Sequence, residues 1–548
     1  MKKFLTLILM VAMLLTTACG NESEKGTLRA MLGSNVVSLD TAKATDNVSF
    51  EVISDCMDGL FQLDENGKPI PAIAESYDVS ADGKTYTFHL RDAKWSNGDD
   101  VTADDFVFAW RRHCQESDKY SYIMGDTVAC IKNADAVIKG ADPKTLGVSA
   151  PNPKTLVVEL NAPVPFFPSL MCFATFYPIN EKFYSGLEKG TYGTTPETFL
   201  YNGAFMITSY LPGAANIQLA KNPSYWDAAN VTLEKINYQV VSSSDNALTA
   251  FKNNSLDIVQ IAGNQFVHVK DDPELSKNLK VVDTGALSYL TFNQDPKNHH
   301  AGALSNVNMR LAISNSIDRE SLVNNYIMDG SKATYTAIPI NFAPNAETGK
   351  FFAEDQKQFA DYVGLNPDRA KEFFNRAKTE LGKDNFDLTL IYANDAGDTT
   401  VKIVQAIKSQ VESNLDGVKI NLQPMTKAEY LDKVTTNNYD MAVTSWVPDY
   451  DDPMTFFTLW TTSGSEISEH WSNADYDKII ENCITGNLAA NYPARWSAMY
   501  DAEKILLENA VIAPLYTRAE VNLISPNVSG IEFHSVAVDR VFKHAVVK

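Results

Sequence analysis

The stretch WVPDYDDP, residues 446–453, places three carboxylates, Asp449, Asp451 and Asp452, within four positions, directly behind the run MAVTS. Four chemistries suit that much negative charge at the mouth of an apolar core. They are ligation of a calcium ion, a catalytic carboxylate pair, a helix cap, and a grip on a cationic ligand. The remainder of the chain has to choose among them.

Enzymatic motifs are weak. DGKT (82–85) imitates the end of a phosphate loop, but the glycine required five residues before Gly83 is Asp78. DVSADG (78–83) imitates the start of a calcium loop, yet its twelfth position is His89 where a bidentate Glu is needed. Both read as turn chemistry. No G-x-S-x-G, S-x-x-K or H-E-x-x-H occurs, and the eight histidines, including the pair His299-His300, show no i, i+4 ligand spacing. Besides Cys19, five cysteines stand at 56, 114, 130, 172 and 483 without a C-x-x-C, which is neither a disulfide framework nor a zinc site. They read as small buried thiols, with a Cys114–Cys130 pair left open. No motif argues for a cofactor, a metal or a catalytic residue, and a hydrolase whose catalytic groups lie far apart in sequence stays open at this point.

The elements that must position the acidic stretch are legible nearby. FDLTLIYAN, VKINLQPM and YDMAVTSW read as strands, separated by the helices TTVKIVQAIKSQVESNL and TKAEYLDKVTTNN. This β-α-β-α-β run predicts a parallel sheet with right-handed crossovers, and such sheets bind ligands beyond the carboxyl ends of their strands. WVPDYDDP begins at that end of the third strand. Earlier, KTYTFHL (84–90), KTLVVEL (154–160) and INYQVV (236–241) read as strands, and DNALTAFKNN (245–254) reads as a helix. TADDFVFAW opens another helix with Thr102 as its N-cap and Asp105 complementing the helix dipole.

Bulk properties bound the function class. Lys2 and Lys3, the apolar Phe4–Leu15 and Ala18 before Cys19 read as a secretory signal over residues 1–18, too short to remain as a membrane span. The segment resembles a bacterial lipobox, with Thr16 where leucine is usual, so Cys19 is expected to carry a lipid such as palmitate. Residues 19–26 then form a tether. The expected location is the cell membrane, anchored on the extracytoplasmic face of a Gram-positive surface. Lys plus Arg number 47 against 68 Asp plus Glu, a formal charge of −21 that argues against a nucleic-acid partner.

Residues 38–110, SLDTAKATDNVSFEVISDCMDGLFQLDENGKPIPAIAESYDVSADGKTYTFHLRDAKWSNGDDVTADDFVFAW, then carry a specific pattern. With YNGAF (201–205), NPSYWDAA (222–229), SNVNMRLAISNSIDR (305–319) and APLYTRAE (513–520), it resembles the peptide-binding family of ABC-importer solute receptors, family 5. Departures are small: Asp58-Gly59 for Glu-Gly, and Tyr77 as the aromatic after Ala74-Glu75-Ser76.

The resemblance implies an α/β, two-lobed periplasmic-binding-protein-like fold (type II, cluster C) with a hinged cleft. Lobe I would comprise 27–48, 178–285 and 510–548, an accessory subdomain 49–177, and lobe II 286–509. It also implies a monomeric, non-enzymatic receptor that passes oligopeptides to separate ABC permease subunits. A peptide-pheromone receptor is the alternative, as is a family member for nickel, haem or an oligosaccharide.

Residue by residue, Asp452 before Pro453 reads as the N-cap of the helix opening MTFFTLW, and Asp451 as its helper or a solvated group. Asp449 has no structural task left and matches the family aspartate that holds the peptide α-ammonium. By the same analogy Trp446, Val447 and Tyr450, Tyr120 or Tyr122, Asn202-Gly203-Ala204 and Tyr516 would line the ligand wall. Asn35 and Val36 would lie along the peptide backbone, Asn35 standing where some relatives carry an acid. Some relatives place an arginine three residues before the Trp. Here it is Val443, so the peptide carboxylate is expected to be unclamped there.

Overall fold

The computed structural model describes residues 25–117, 120–296, 302–345, 348–355, 358–394, 398–462 and 470–548. The signal, Cys19 and the pair His299-His300 lie outside them.

The strands that carry the architecture are β1 (Thr27–Leu32), β2 (Ala74–Val79), β3 (Thr85–Leu90), β4 (Val148–Asn152), β5 (Thr155–Glu159), β6 (Phe205–Ser209), β7 (Asn216–Lys221), β8 (Lys235–Val240), β9 (Ile258–Ile261) and β10 (Leu279–Phe292). After the short β11 (Lys332–Ala333) come β12 (Phe386–Ala393), β13 (Val418–Met425), β14 (Met441–Trp446) and β15 (Ile512–Ile524). The helices that matter to the site are α1 (Asn47–Cys56), α2 (Ala103–Glu116), α3 (Asp398–Asn414), α4 (Lys427–Thr435), α5 (Met454–Phe457), α6 (Ala474–Ile484) and α7 (Tyr492–Glu508).

One mixed eleven-stranded sheet runs in the order β13-β12-β14-β10-β15-β9-β1-β8-β7-β6, with β11 paired to β15. Strand β12 pairs parallel to both β13 and β14, as the alternating strand–helix pattern predicts. A separate antiparallel sheet, β2-β3-β5-β4, is built from the segment between β1 and β6.

Two long strands join the halves of the large sheet. The first part of β10 (Leu279–Asp283) pairs with the end of β15, which lies beside β9 on its other edge, while the second part of β10 (Leu287–Phe292) pairs with β14. Their register shifts between Asp283 and Leu287, a bulge that re-aims the strand midway. Gly285 sits there at φ 66°, and a Cβ on it would lie 3.0 Å from Ser535 and 3.1 Å from Pro448. Any side chain there would be strained, so the bulge favours glycine, and it lies directly against the acidic turn.

The signature segments turn out to be internal fasteners. Thr102 and Asp105 form a capping box at α2, and Asp105 also accepts the Trp95 indole N–H at 3.1 Å. Asp40 receives both ends of the Arg112 guanidinium, at 2.8 and 2.5 Å. Asp58 receives the Tyr225 hydroxyl at 2.8 Å and the Trp226 indole at 2.9 Å. The five described cysteines are all free and buried, so Cys114 and Cys130 do not pair.

Several carboxyl groups are buried with few cations. Asp55 accepts the Tyr238 hydroxyl at 2.6 Å, and burial pushes its carboxyl up to about 8. Glu503 accepts the Ala337 N–H at 2.8 Å, and burial pushes it up to about 8 as well. Both bind their proton at a higher pH in the folded chain than unfolded, where carboxyls titrate near pH ~4. The folded state therefore holds more protons, and stability falls as pH rises from about 4 through about 8. Thermal melts should give a higher midpoint at pH 6 than at pH 9, with a shallower slope in Glu503→Gln; a midpoint that rises with pH would contradict this assignment.

Candidate functional site

The acidic turn leaves the carboxyl end of β14 and enters α5. Asp452 is buried and stands one residue before the N-cap, which is Pro453, yet its Oδ1 accepts the Met454 N–H at 3.0 Å at the start of the helix. It does more than that: Arg495 of α7 grips both its oxygens at 2.7 and 2.8 Å, with both side chains buried. The helix itself is shorter than expected, four α residues followed by a 3-10 turn over Thr458–Trp460. Asp451 neither assists that helix nor faces solvent freely. It is half-buried and accepts a backbone hydrogen bond from Ala343, and burial next to Asp452 pushes its carboxyl up to about 7.

Asp449 is therefore the carboxylate left to the cavity, though it is not without a partner. Tyr122 donates its hydroxyl to Asp449 Oδ2 at 2.6 Å across 327 residues of sequence, and the Asp449 backbone N–H donates to Thr455 Oγ1 at 3.1 Å. Burial pushes the Asp449 carboxyl up to about 6, against the hydrogen bond from Tyr122, which holds it down. Burial, joined by the negative charge of Asp449, pushes the Tyr122 phenol far above its ordinary range.

A cavity of about 650 Å³ opens at this point, lined by Tyr122, Thr127 and Val128 from one side and by Trp446, Asp449, Tyr450, Thr455 and residues of α6 from the other. Tyr450 lies under it, 2 % exposed and stacked on Phe166 with centroids 4.3 Å apart and planes within 9°. The Arg495 guanidinium approaches the same Phe166 ring at 5.8 Å. Residues 122–166 and 446–495, far apart in sequence, thus share one packed seam beside the cavity.

Other residues singled out by resemblance are placed differently. Val447 is exposed at 39 % and does not line the cavity. Tyr120 stacks near Tyr122 at 6.1 Å and packs edge-on to Phe50 and Phe173. Asn35 is exposed, Val36 is buried, and the loop they occupy is tied to α1 by the Val37 and Ser38 N–H groups donating to Ser49 Oγ. Tyr516 is half-buried in β15, opposite Ser288 of β10.

The triplet Asn202-Gly203-Ala204 is corrected from wall to core. Asn202, 1 % exposed, takes the Asp58 N–H and donates to the Asp58 carbonyl, at 3.2 and 3.0 Å. A Cβ on Gly203 would lie 2.4 Å from the Met57 nitrogen, which explains glycine there by close backbone approach. Ala204 is buried as well. Val443 is half-buried, and its carbonyl accepts the Tyr430 hydroxyl at 2.7 Å.

Sequence reasoning missed the α6 wall. Asp477, Ile480, Glu481 and Ile484 all line the cavity. Their i, i+3, i+4, i+7 spacing marks one helix face, the signal that could have found them. Among the described residues no group of three or more His, Cys, Asp or Glu is placed to hold a metal ion.

The Asp452–Arg495 pair fixes where Asp449 points, because it anchors the turn three residues on. Removing one partner of a buried ion pair strands the other. Arg495→Met should cost about 3–5 kcal/mol in urea unfolding, and a loss below 1 kcal/mol would show that the pair is not the anchor.

The family described as Bacterial extracellular solute-binding proteins, family 5 Middle, matches residues 68–467. The "Dipeptide-binding protein" of Lactococcus lactis subsp. cremoris is 30% identical over 559 residues, spanning 99% of this chain and 98% of the relative. The substrate-binding domain of an oligopeptide ABC transporter from Bacillus anthracis superposes with a TM-score of 0.80 at 33% identity, covering 96% of this chain and 99% of that one. Listeria monocytogenes OppA bound to peptide gives a TM-score of 0.79 at 29% identity, covering 96% of this chain and 100% of the other.

Proposed function

The chain belongs to family 5 of the bacterial extracellular solute-binding proteins, and from that premise we propose that it captures oligopeptides in the cleft beside Asp449 and delivers them to an ABC permease. The observation that carries the reading is the Asp449 carboxylate, held by Tyr122 on the wall of a cavity at the carboxyl end of β14. Asp449 receives the peptide α-ammonium, and Trp446 and Tyr450 form the adjoining wall. A receptor of many sequences must hold what all peptides share, their backbone and charged ends. Extended pairing supplies affinity without reading side chains, and one charged hydrogen bond, typically about 1.5–3 kcal/mol, sets the register.

The lobes we assign are 27–48 with 178–285 and 510–548, carrying the accessory subdomain 49–177, and 286–509. They close about the crossing strands β10 and β15. The seam between Tyr122 or Phe166 and Asp449 or Tyr450 supports that closure, since it joins the accessory subdomain to the second lobe. Val443 leaves the peptide carboxylate unclamped at that position, which admits peptides of varied length.

The protein acts as a monomer tethered through a lipid on Cys19 at the outer face of a Gram-positive cell membrane. The relatives' family of binding proteins supports a non-enzymatic role, and among the described residues no helix is long and apolar enough to cross a membrane. Mass spectrometry of the mature protein should find a diacylglycerol-modified cysteine at its N-terminus, lost in Cys19→Ser; an unmodified, freely released chain would end the anchoring proposal.

The binding test is calorimetric titration of the mature protein, refolded to remove carried-over ligand, with a pool of four- to eight-residue peptides. Heat should disappear when the pool is N-acetylated and in Asp449→Ala. Binding requires an ionised Asp449, so affinity should fall as pH drops below about 6, by about tenfold per unit. Tyr122→Phe removes the hydrogen bond that holds the carboxyl down and should move that fall to higher pH. Equal heat from free and acetylated pools would remove Asp449 as the anchor.

A further inference from the structure

We infer that the cavity beside Asp449 selects a cationic side chain on the first residue of the bound peptide, through Glu481 and Asp477 of α6. The inference rests on Asp449 as the ammonium anchor. The first side chain shares its Cα with that ammonium and is therefore the group best placed to enter the same cavity.

The lining has the chemistry of a long cationic side chain, which is an aliphatic stem ending in a charge. Ile480 and Ile484 offer apolar surface on the α6 face, and Glu481 and Asp477 stand on that same face. Asp477 is held in place by the Thr462 N–H and hydroxyl, at 2.9 and 2.5 Å. Glu481 is exposed, and among the described residues no hydrogen bond or ion pair reaches its carboxylate. No lysine, arginine or histidine is among the described residues that line the cavity, so its three carboxylates, Asp449, Asp477 and Glu481, face no resident cation there. A peptide ammonium neutralises one of them, and a second cation on the ligand matches the others.

Two polar groups without partners among the described residues favour a ligand at this cavity independently of its charge. The Tyr450 hydroxyl and the Trp446 indole N–H are both buried, find no hydrogen-bond partner among the described residues, and belong to residues that line this cavity. Tyr450 is itself 2 % exposed. Buried polar groups left unmade are costly, and peptide carbonyl oxygens are the acceptors that would relieve these two donors.

The test compares Lys-Ala-Ala-Ala-Ala with its norleucine-1 counterpart, the same stem without the ammonium, by calorimetry of the mature protein. The lysine peptide should bind about tenfold tighter, its advantage should shrink with added salt, and Glu481→Gln should narrow the ratio to about threefold or less. Equal affinities, tighter norleucine binding, or an advantage unaltered by Glu481→Gln would overturn the inference. Both peptides binding equally well after N-acetylation, or neither binding at all, would instead overturn the anchor at Asp449.

Discussion

The pairing of β10 with β15 is the constraint on which the rest of the structure depends. These are the strands whose backbone ladders reach both halves of the large sheet: one end lies with β9, the other with β14 and β11. Everything that meets at the cavity is referred to that pair. Strand β14 hangs on β10 by six residue pairs from Leu287 to Phe292, and the acidic turn leaves from its end. The bulge at Gly285 then sets β10 against Pro448 within that turn. A bent but continuous ladder can flex at its irregularity while keeping register on both sides, which is the mechanical requirement of a cleft that opens and closes.

Around that frame, polar pairs are divided between building and binding. Arg112 with Asp40, Arg540 with Glu51 and Arg495 with Asp452 are buried, short and multiply hydrogen-bonded, and each ties segments distant in sequence. Their geometry leaves the arginines no freedom to serve a ligand. Asp449 differs in kind. Among the described residues its single side-chain partner is the neutral Tyr122 hydroxyl, so the negative charge meets no counter-ion there. A carboxylate desolvated and uncompensated is what a cationic ligand group can repay, and its upward-shifted titration is the electrostatic record of that state.

The match between motif and task was uneven. Of the three aspartates of WVPDYDDP, Asp452 bonds the first helical N–H from one residue before the Pro453 cap, and Asp451 is turned inward by Ala343, a contact nothing local in the sequence announces. The triplet at Asn202 was legible as special and misread in role. A conspicuous Asn-Gly-Ala can face a ligand or permit two backbones to touch, and only the proximity of Cys56 and Met57 decides for the second. Conversely, α6 carried its helical spacing openly, yet no rule of sequence says which face of a helix will look into a cavity.

What the sequence determined by itself is local and periodic. The βαβαβ alternation in 386–446, the capping box at Thr102 and the turn before Pro453 follow from side-chain chemistry acting over a few residues, and they appear where the pattern puts them. What only the tertiary structure decided is which distant groups share a space. Tyr122 meets Asp449, Phe166 stacks on Tyr450 and α6 closes a wall because separate packed segments converge on one seam. Spacing along a chain encodes periodicity, whereas contact across hundreds of residues is set by how buried surfaces fit, and a single sequence does not display that fit.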